Sequence, residues 1–93
     1  MIAKIAVAAA NFAIDKPYSY FIPQGMEIAA GTRVRVPFGR GNRRTEGIVL
    51  ALEHGSREGL KAVEAALDSE PLISDTMLRL GGVSPGAVLL HLL

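Results

Sequence analysis

The stretch Thr32-Arg33-Val34-Arg35-Val36-Pro37 has the most regular pattern in the chain and decides the predicted fold. Its valines and arginines alternate, which predicts a half-buried antiparallel strand with the valines inward and the arginines outward. Residues 38–44 follow with two glycines and an asparagine, which tolerate the backbone angles of a hairpin tip. Residues 45–52 are then expected to form the returning strand.

A period of two also describes two earlier stretches, residues 2–8 and 18–22, and predicts two further strands. The turn Pro23-Gln24-Gly25 ends the second of them, because Gly25 accepts a positive φ. Residues 60–67 fit a strand or a helix about equally well. Val63 and the preceding β pattern favour a strand.

The last part of the chain contains residues that commonly begin and end short helices. Ser74 can cap a helix over residues 75–80, and Pro85 suits the first position of a second helix that runs to the last residue. We therefore predict a mainly β fold: a small antiparallel β-barrel or half-barrel of OB-like type with one or two short C-terminal helices. Residues 1–73 would form the barrel, and residues 74–93 a helical segment of the same domain.

The composition of the chain limits the classes of function that it can have. A chain of 93 residues with 49% hydrophobic and 20% charged residues fits one small globular domain. Its net charge of +1 conceals a division, since residues 1–44 carry seven basic and two acidic residues, a net +5, and the remainder carries three and seven, a net −4. The absence of cysteine excludes disulfides, thiolate metal sites and a cysteine nucleophile. No apolar stretch approaches the ~20 residues of a membrane span, so we expect a cytoplasmic protein without a membrane partner.

Catalysis is not expected. The two histidines, His54 and His91, have no spacing to a serine or carboxylate that suggests a triad, and they make a poor zinc site. The sequence Gly39-Arg40-Gly41 lacks the Gly-Lys-Ser/Thr ending of a phosphate-cradling loop and is better interpreted as a hairpin turn. We predict neither an enzyme nor a cofactor.

Aromatic and basic residues share the predicted strands and their connections. Rings on which bases stack, beside cations for phosphates, are typical of a surface that binds single-stranded nucleic acid. The alternative is that the rings are core and the cations only solubilise the hairpin. The residues concerned are Tyr18, Tyr20, Phe21 and Phe38, with Arg33, Arg35, Arg40, Arg43 and Arg44.

Two motifs carry a resemblance to a known family. The runs Asp15-Lys16-Pro17-Tyr18-Ser19-Tyr20-Phe21-Ile22-Pro23-Gln24-Gly25 and Gly31-Thr32-Arg33-Val34-Arg35-Val36-Pro37-Phe38-Gly39-Arg40 resemble the amino-terminal domain of the primosomal replication-restart helicase family PriA. The later motifs Gly47-Ile48-Val49, Leu60-Lys61-Ala62-Val63 and Leu67-Asp68-Ser69-Glu70-Pro71-Leu72 continue it in the same order.

The resemblance implies a DNA-binding module, residues 1–73, that recognises the 3′ end of the nascent leading strand at a stalled replication fork. Its partners would be that DNA end, the rest of the helicase and, through primosome assembly, primosomal proteins. In the family an ATP-driven 3′-5′ helicase and a cysteine-rich zinc insertion follow this module. Neither is in this sequence, so the fragment itself should be catalytically inert.

The resemblance also implies which residues bind. The predicted 3′-end site comprises Tyr18, Ser19, Tyr20, Phe38, Gly39 and Lys61. The rings would stack on bases, Gly39 would let the backbone approach the sugar, and Lys61 would reach a phosphate. Ser19 stands where the family has an aspartate, and its hydroxyl is a weaker acceptor for a 3′-hydroxyl than a carboxylate. The five arginines would contact the DNA backbone.

A different class of function is also consistent with the sequence. The predicted last helix is apolar on most sides over residues 88–93. Such a surface must be covered, so the chain could be a small β-barrel that docks on a protein partner through this helix.

Overall fold

The computed structural model describes residues 1–10 and 15–68. The predicted helices over residues 75–80 and 85–93, the boundary between residues 73 and 74, and the apolar helix of the protein-docking alternative lie outside the described residues. Within the described part there is no helix long and apolar enough to cross a membrane.

The described residues form a five-stranded antiparallel sheet, which confirms the mainly β prediction. Its order across the sheet is β2-β1-β4-β3-β5, and a short 3-10 turn, Ala8–Ala10, follows β1. The strands are β1 Ile2–Val7, β2 Tyr18–Phe21, β3 Arg33–Phe38, β4 Arg43–Glu53 and β5 Ala65–Ala66. The strand expected over residues 60–67 is therefore confirmed only for two of its residues.

One face of the sheet carries the hydrophobic core. Val34 and Val36 are fully buried, whereas Arg35 between them is exposed, as the alternation predicts. Apolar residues of four other segments complete the core cluster, because the sheet brings their inward faces together: Ala3, Ile5, Val7, Tyr20, Val49 and Val63. Burial of this apolar surface is the main stabilising contribution to the fold.

The pairing of β1 with β4 contains two local constraints. Lys4 lies opposite Ala51 and Ile5 opposite Val49, which leaves Leu50 as the extra residue of a β-bulge. Further along β4, a Cβ atom at Gly47 would lie 2.5 Å from Ile5 Cγ2 and 3.0 Å from the Ala6 carbonyl oxygen. The position therefore requires glycine for steric reasons.

One short segment connects the two sides of the sheet. We call residues 61–67, which include β5, the bridging segment. It hydrogen-bonds to β2 and also to β3, so the open sheet has the half-barrel form expected from the sequence. The four bonds run from Phe21 N to Lys61 O (3.0 Å), Val63 N to Phe21 O (2.9 Å), Glu64 N to Arg35 O (2.8 Å) and Leu67 N to Arg33 O (2.8 Å).

The loop after β4 crosses the outer face of β1 and β2. A Cβ atom at Gly55 would lie 3.2 Å from Ile2 Cγ1, and the Arg57 guanidinium lies 5.7 Å from the centre of the Phe21 ring. This loop leads directly into the bridging segment, so the connection that covers Ile2 also sets where the bridging segment meets β2.

Candidate functional site

A cavity of about 340 Å³ lies in the gap between the start of β2 and the end of β3. The bridging segment pairs with β2 only at Phe21, so no strand of residues 1–10 and 15–68 lies between the earlier residues of β2 and the end of β3. Eight residues line the cavity: Tyr18, Ser19, Tyr20, Phe38, Gly39, Gly59, Leu60 and Lys61. All six residues predicted to form an end-binding site thus lie around one cavity. Their contact with DNA stays a prediction.

The two tyrosines of the cavity have different environments. Tyr18 is 43% exposed, and its ring packs edge-to-face on Phe38 with the ring centres 5.0 Å apart. Tyr20 is only 4% exposed, and its hydroxyl donates a hydrogen bond of 2.7 Å to the Pro37 carbonyl oxygen. Burial, with a smaller contribution from Tyr18, raises the pKa of Tyr20, so this hydroxyl stays a donor. Tyr18 therefore has the ring that is available for stacking, and the buried Tyr20 forms the floor of the cavity.

The Ser19 hydroxyl is already engaged within the protein. It accepts a hydrogen bond of 2.8 Å from Lys4 Nζ, and the same ammonium lies 3.5 Å from Glu53 Oε1. The register explains the contact, because Lys4 on β1 lies directly opposite Ser19 on β2 and cross-strand partners share a face. Sequence reasoning missed Lys4, since only the strand register identifies it as a neighbour of Ser19.

Ser19 also presents its backbone to the cavity. The Phe21 N–H and C=O bond to the bridging segment and therefore point away from β1, whereas the Ile22 N–H donates to the Met1 carbonyl oxygen at 3.0 Å and points toward β1. Backbone groups alternate in direction along a strand. Two residues before Phe21, the N–H and C=O of Ser19 accordingly point away from β1, into the gap.

Gly39 and Lys61 meet at the opposite wall. Lys61 Nζ donates a hydrogen bond of 2.7 Å to the Gly39 carbonyl oxygen, which also accepts one of 3.1 Å from Asn42 N–H in the hairpin turn. Gly39 has φ +75°, a conformation that favours glycine, while a Cβ there would have no atom within 4 Å. Backbone geometry, not crowding, selects glycine at this position.

Gly59 and Leu60 line the cavity but were not among the predicted site residues. Gly59 has φ +77°, and the Leu60 N–H closes a turn on the Arg57 carbonyl oxygen at 3.0 Å. The glycine directly before the Leu60-Lys61-Ala62-Val63 motif was the one signal in the sequence that could have indicated them.

The five predicted arginines do not line the cavity. Arg43 lies opposite Phe38 and shares its face, and Arg40 is at the exposed hairpin tip. Arg35 and Arg44 lie opposite Glu46 and Pro37, on the other face of the hairpin. Arg44 also lies 3.5 Å from Glu64 across an exposed ion pair.

Arg33 is held by carboxylates. Its Nη2 and Nε lie 2.9 and 3.1 Å from the two oxygens of Asp68, and its Nη1 lies 3.4 Å from Glu46. The hydrogen bond from Arg33 lowers the pKa of Asp68, and the hydrogen bond to Asp68 raises the pKa of Arg33. Arg33 is therefore a poorer candidate for a phosphate than Arg40 or Arg43, which have no ion-pair partner among the described residues.

Comparison with known proteins agrees with the resemblance. The model of the family described as the 3′DNA-binding domain (3′BD) of PriA matches residues 4–84. The replication restart protein PriA of Bacillus subtilis (strain 168) is 34% identical over 81 residues, which cover 82% of this chain and 10% of that protein. The chain thus spans about a tenth of the length of this relative. The family is one of DNA-binding domains and not of enzymes, and the chain belongs to it.

Proposed function

We propose that this chain binds the 3′ end of a DNA strand in the cavity between β2 and β3. The observation that carries the proposal is the common cavity of the six predicted residues, which offers an exposed ring, backbone hydrogen-bonding groups and one cation. Its volume lies at the small end of the range for ligand sites, as a site for one nucleotide requires.

Stacking supplies the first part of the interaction. The exposed Tyr18 ring is held edge-to-face by Phe38, so it loses little further freedom when a base packs on it. Base stacking on an aromatic ring contributes about 1–3 kcal/mol and depends little on the base. This suits an end site that accepts any sequence.

The shape of the gap favours an end over a continuous strand. Beyond the cavity, β2 is joined to the bridging segment at Phe21, and the Tyr20 hydroxyl reaches Pro37 across the floor. A strand that ran through the site would need an open groove on both sides. A strand that terminates in the cavity needs one entrance.

The relative's name supports a proposal for the wider biological role. We infer that the chain serves DNA replication restart, with the 3′ end of the nascent leading strand at a fork as its ligand. The rest of a helicase and primosomal proteins would be its partners, in the cytoplasm. In this role the chain would position the helicase on the DNA end. The helicase reaction itself would belong to other parts of such a protein.

The test compares a linear single strand with its covalently circular form, with the same internal fluorescent label in both. Anisotropy titrations should show the linear strand bound clearly more tightly, because only it has an end to insert. Equal affinities for the two forms would contradict end binding. A linear strand whose 5′ end alone is blocked is the control, and it should bind like the unblocked strand.

A further inference from the structure

We propose that the cavity accepts a DNA strand that ends in a 3′-phosphate at least as well as one that ends in a 3′-hydroxyl. The proposal rests on the proposed function, since it concerns which 3′ end the same cavity takes. It follows from the charge and the hydrogen-bond donors of the cavity walls.

No carboxylate is among the described residues that line the cavity, and Lys61 carries its one cationic side chain. A phosphate monoester bears close to two negative charges at neutral pH. A site rejects such a group by placing a negative charge against it or by offering it no donors. Glu53 contacts the Lys4 ammonium that donates to Ser19, but it does not line the cavity.

Donors for an anion are present. Lys61 has three N–H bonds and uses one on the Gly39 carbonyl oxygen, so two remain. The Ser19 N–H points into the gap at the edge of β2 and has no backbone partner within the part of the chain that the structure describes. The Ser19 hydroxyl contacts Lys4 on the other face of β2 and is not one of these donors. The Lys61 ammonium and the Ser19 N–H fit the oxygens of a terminal phosphate, and the charge of Lys61 favours the anion, whereas a 3′-hydroxyl can use the Ser19 carbonyl oxygen as its acceptor.

Space beside the hairpin is also available. A Cβ atom at Gly39 would have no neighbour within 4 Å, so the wall next to Lys61 is open. A terminal phosphate beside Lys61 would therefore meet no side chain at the Gly39 position. Binding of this kind does not report whether an end can be extended, because a 3′-phosphate lacks the nucleophile that a polymerase needs.

The experiment uses one DNA sequence in four forms: 3′-hydroxyl, 3′-phosphate, 5′-phosphate with a 3′-hydroxyl, and circular. Anisotropy titrations with the full chain at low salt should give roughly 3- to 10-fold tighter binding of the 3′-phosphate than of the 3′-hydroxyl, since a charge-assisted hydrogen bond is added. The 5′-phosphate should not change the affinity, which controls for the extra charge.

Lys61→Gln should abolish the preference for the 3′-phosphate. Arg35→Gln removes the same charge from the other face of the hairpin and should weaken both linear forms in the same proportion, leaving their ratio unchanged. A 3′-phosphate bound more weakly than the 3′-hydroxyl, with both tighter than the circle, would overturn this inference and leave end binding intact. Equal binding of linear and circular forms would overturn both.

Discussion

The Tyr20 hydroxyl donates a hydrogen bond of 2.7 Å to the Pro37 carbonyl oxygen and so joins β2 to β3 at the floor of the cavity. Tyr20→Phe removes the donor and leaves the Pro37 carbonyl oxygen without it. We expect the free energy of unfolding in urea to fall by about 1–2 kcal/mol. Tyr18→Phe is the matched control, because the exposed Tyr18 should tolerate the loss of its hydroxyl within about 0.5 kcal/mol. An unchanged urea midpoint for Tyr20→Phe would show that the bond does not stabilise the fold.

The raised pKa of Tyr20 also predicts that the fold loses stability at alkaline pH. The pKa of Tyr20 is raised by burial, and a smaller contribution comes from Tyr18, so the unfolded chain loses this proton more readily than the folded chain. The corresponding stability is fully present below a pH of about 10 and is lost as the pH rises through the folded pKa. Urea titrations above this pH should show a steeper loss for the wild-type chain than for Tyr20→Phe.

Gly47→Ala should destabilise the sheet. The added Cβ would lie 2.5 Å from Ile5 Cγ2 and 3.0 Å from the Ala6 carbonyl oxygen, and a buried strand cannot move away without loss of its own packing. Overpacking of this kind costs about 1–3 kcal/mol. Gly41→Ala is the control, because its Cβ would have no atom within 4 Å. Thermal unfolding of the two variants compares them directly, and equal midpoints would refute the steric argument.

Asp68→Asn should lower stability at neutral pH and have a smaller effect in acid. The hydrogen bond from Arg33 depresses the pKa of Asp68, so the ion pair stabilises the fold above the unfolded pKa of about 4. That contribution is lost as the pH falls below about 4 through the folded pKa. Urea midpoints of the wild type and the variant should therefore differ at pH 7 and converge toward pH 2. A difference in urea midpoint that stays constant at all pH values would mean that the charge of Asp68 does not contribute to stability.

Tyr18→Ala tests the stacking ring. The variant should keep the fold, because Tyr18 is 43% exposed. Its affinity for a linear single strand should fall by about 1–3 kcal/mol, or roughly 5- to 150-fold, and Tyr18→Phe should bind like the wild type. An affinity unchanged in Tyr18→Ala would exclude this ring from the interface.

The arginines should differ in their contribution to the salt dependence of binding. Arg43 shares the face of Phe38 and has no ion-pair partner among the described residues, whereas Arg33 is held by Asp68 and Glu46. Arg43→Gln should reduce the slope of log affinity against log salt by about 0.7, the value for one phosphate on a single strand. Arg33→Gln should leave the slope unchanged. Equal effects of the two substitutions would contradict the geometric distinction.

Much of the fold was predictable because its strands follow a local pattern. The alternation around Val34 and Val36 identifies β3, and Gly39 and Asn42 supply the positive φ values of its hairpin. Six of the eight residues that line the cavity were predicted, chiefly from the family resemblance. No local pattern shows that they enclose one space, since that depends on where β2 and β3 diverge.

Other features depend on register and on contacts distant in the sequence. The Leu50 bulge shifts the pairing of β1 by one residue, and nothing in the sequence predicts an extra residue there. The partner of Ser19 became known only once Lys4 was seen opposite it. Arg33 looked like any outward arginine of an alternating strand. Its pairing with Asp68, 35 residues later, depends on the bridging segment.

The bridging segment has a consequence for association between molecules. The free edge of a sheet is a template for a strand of another chain, and unprotected edges lead to aggregation. Here one segment occupies the edge of β2 at Phe21 and the edge of β3 at Arg33 and Arg35. At the remaining gap, Pro37 has no N–H to offer an incoming strand. The β3 side of the gap proposed to bind a DNA end is thus a poor place for a second copy of the chain to add a strand.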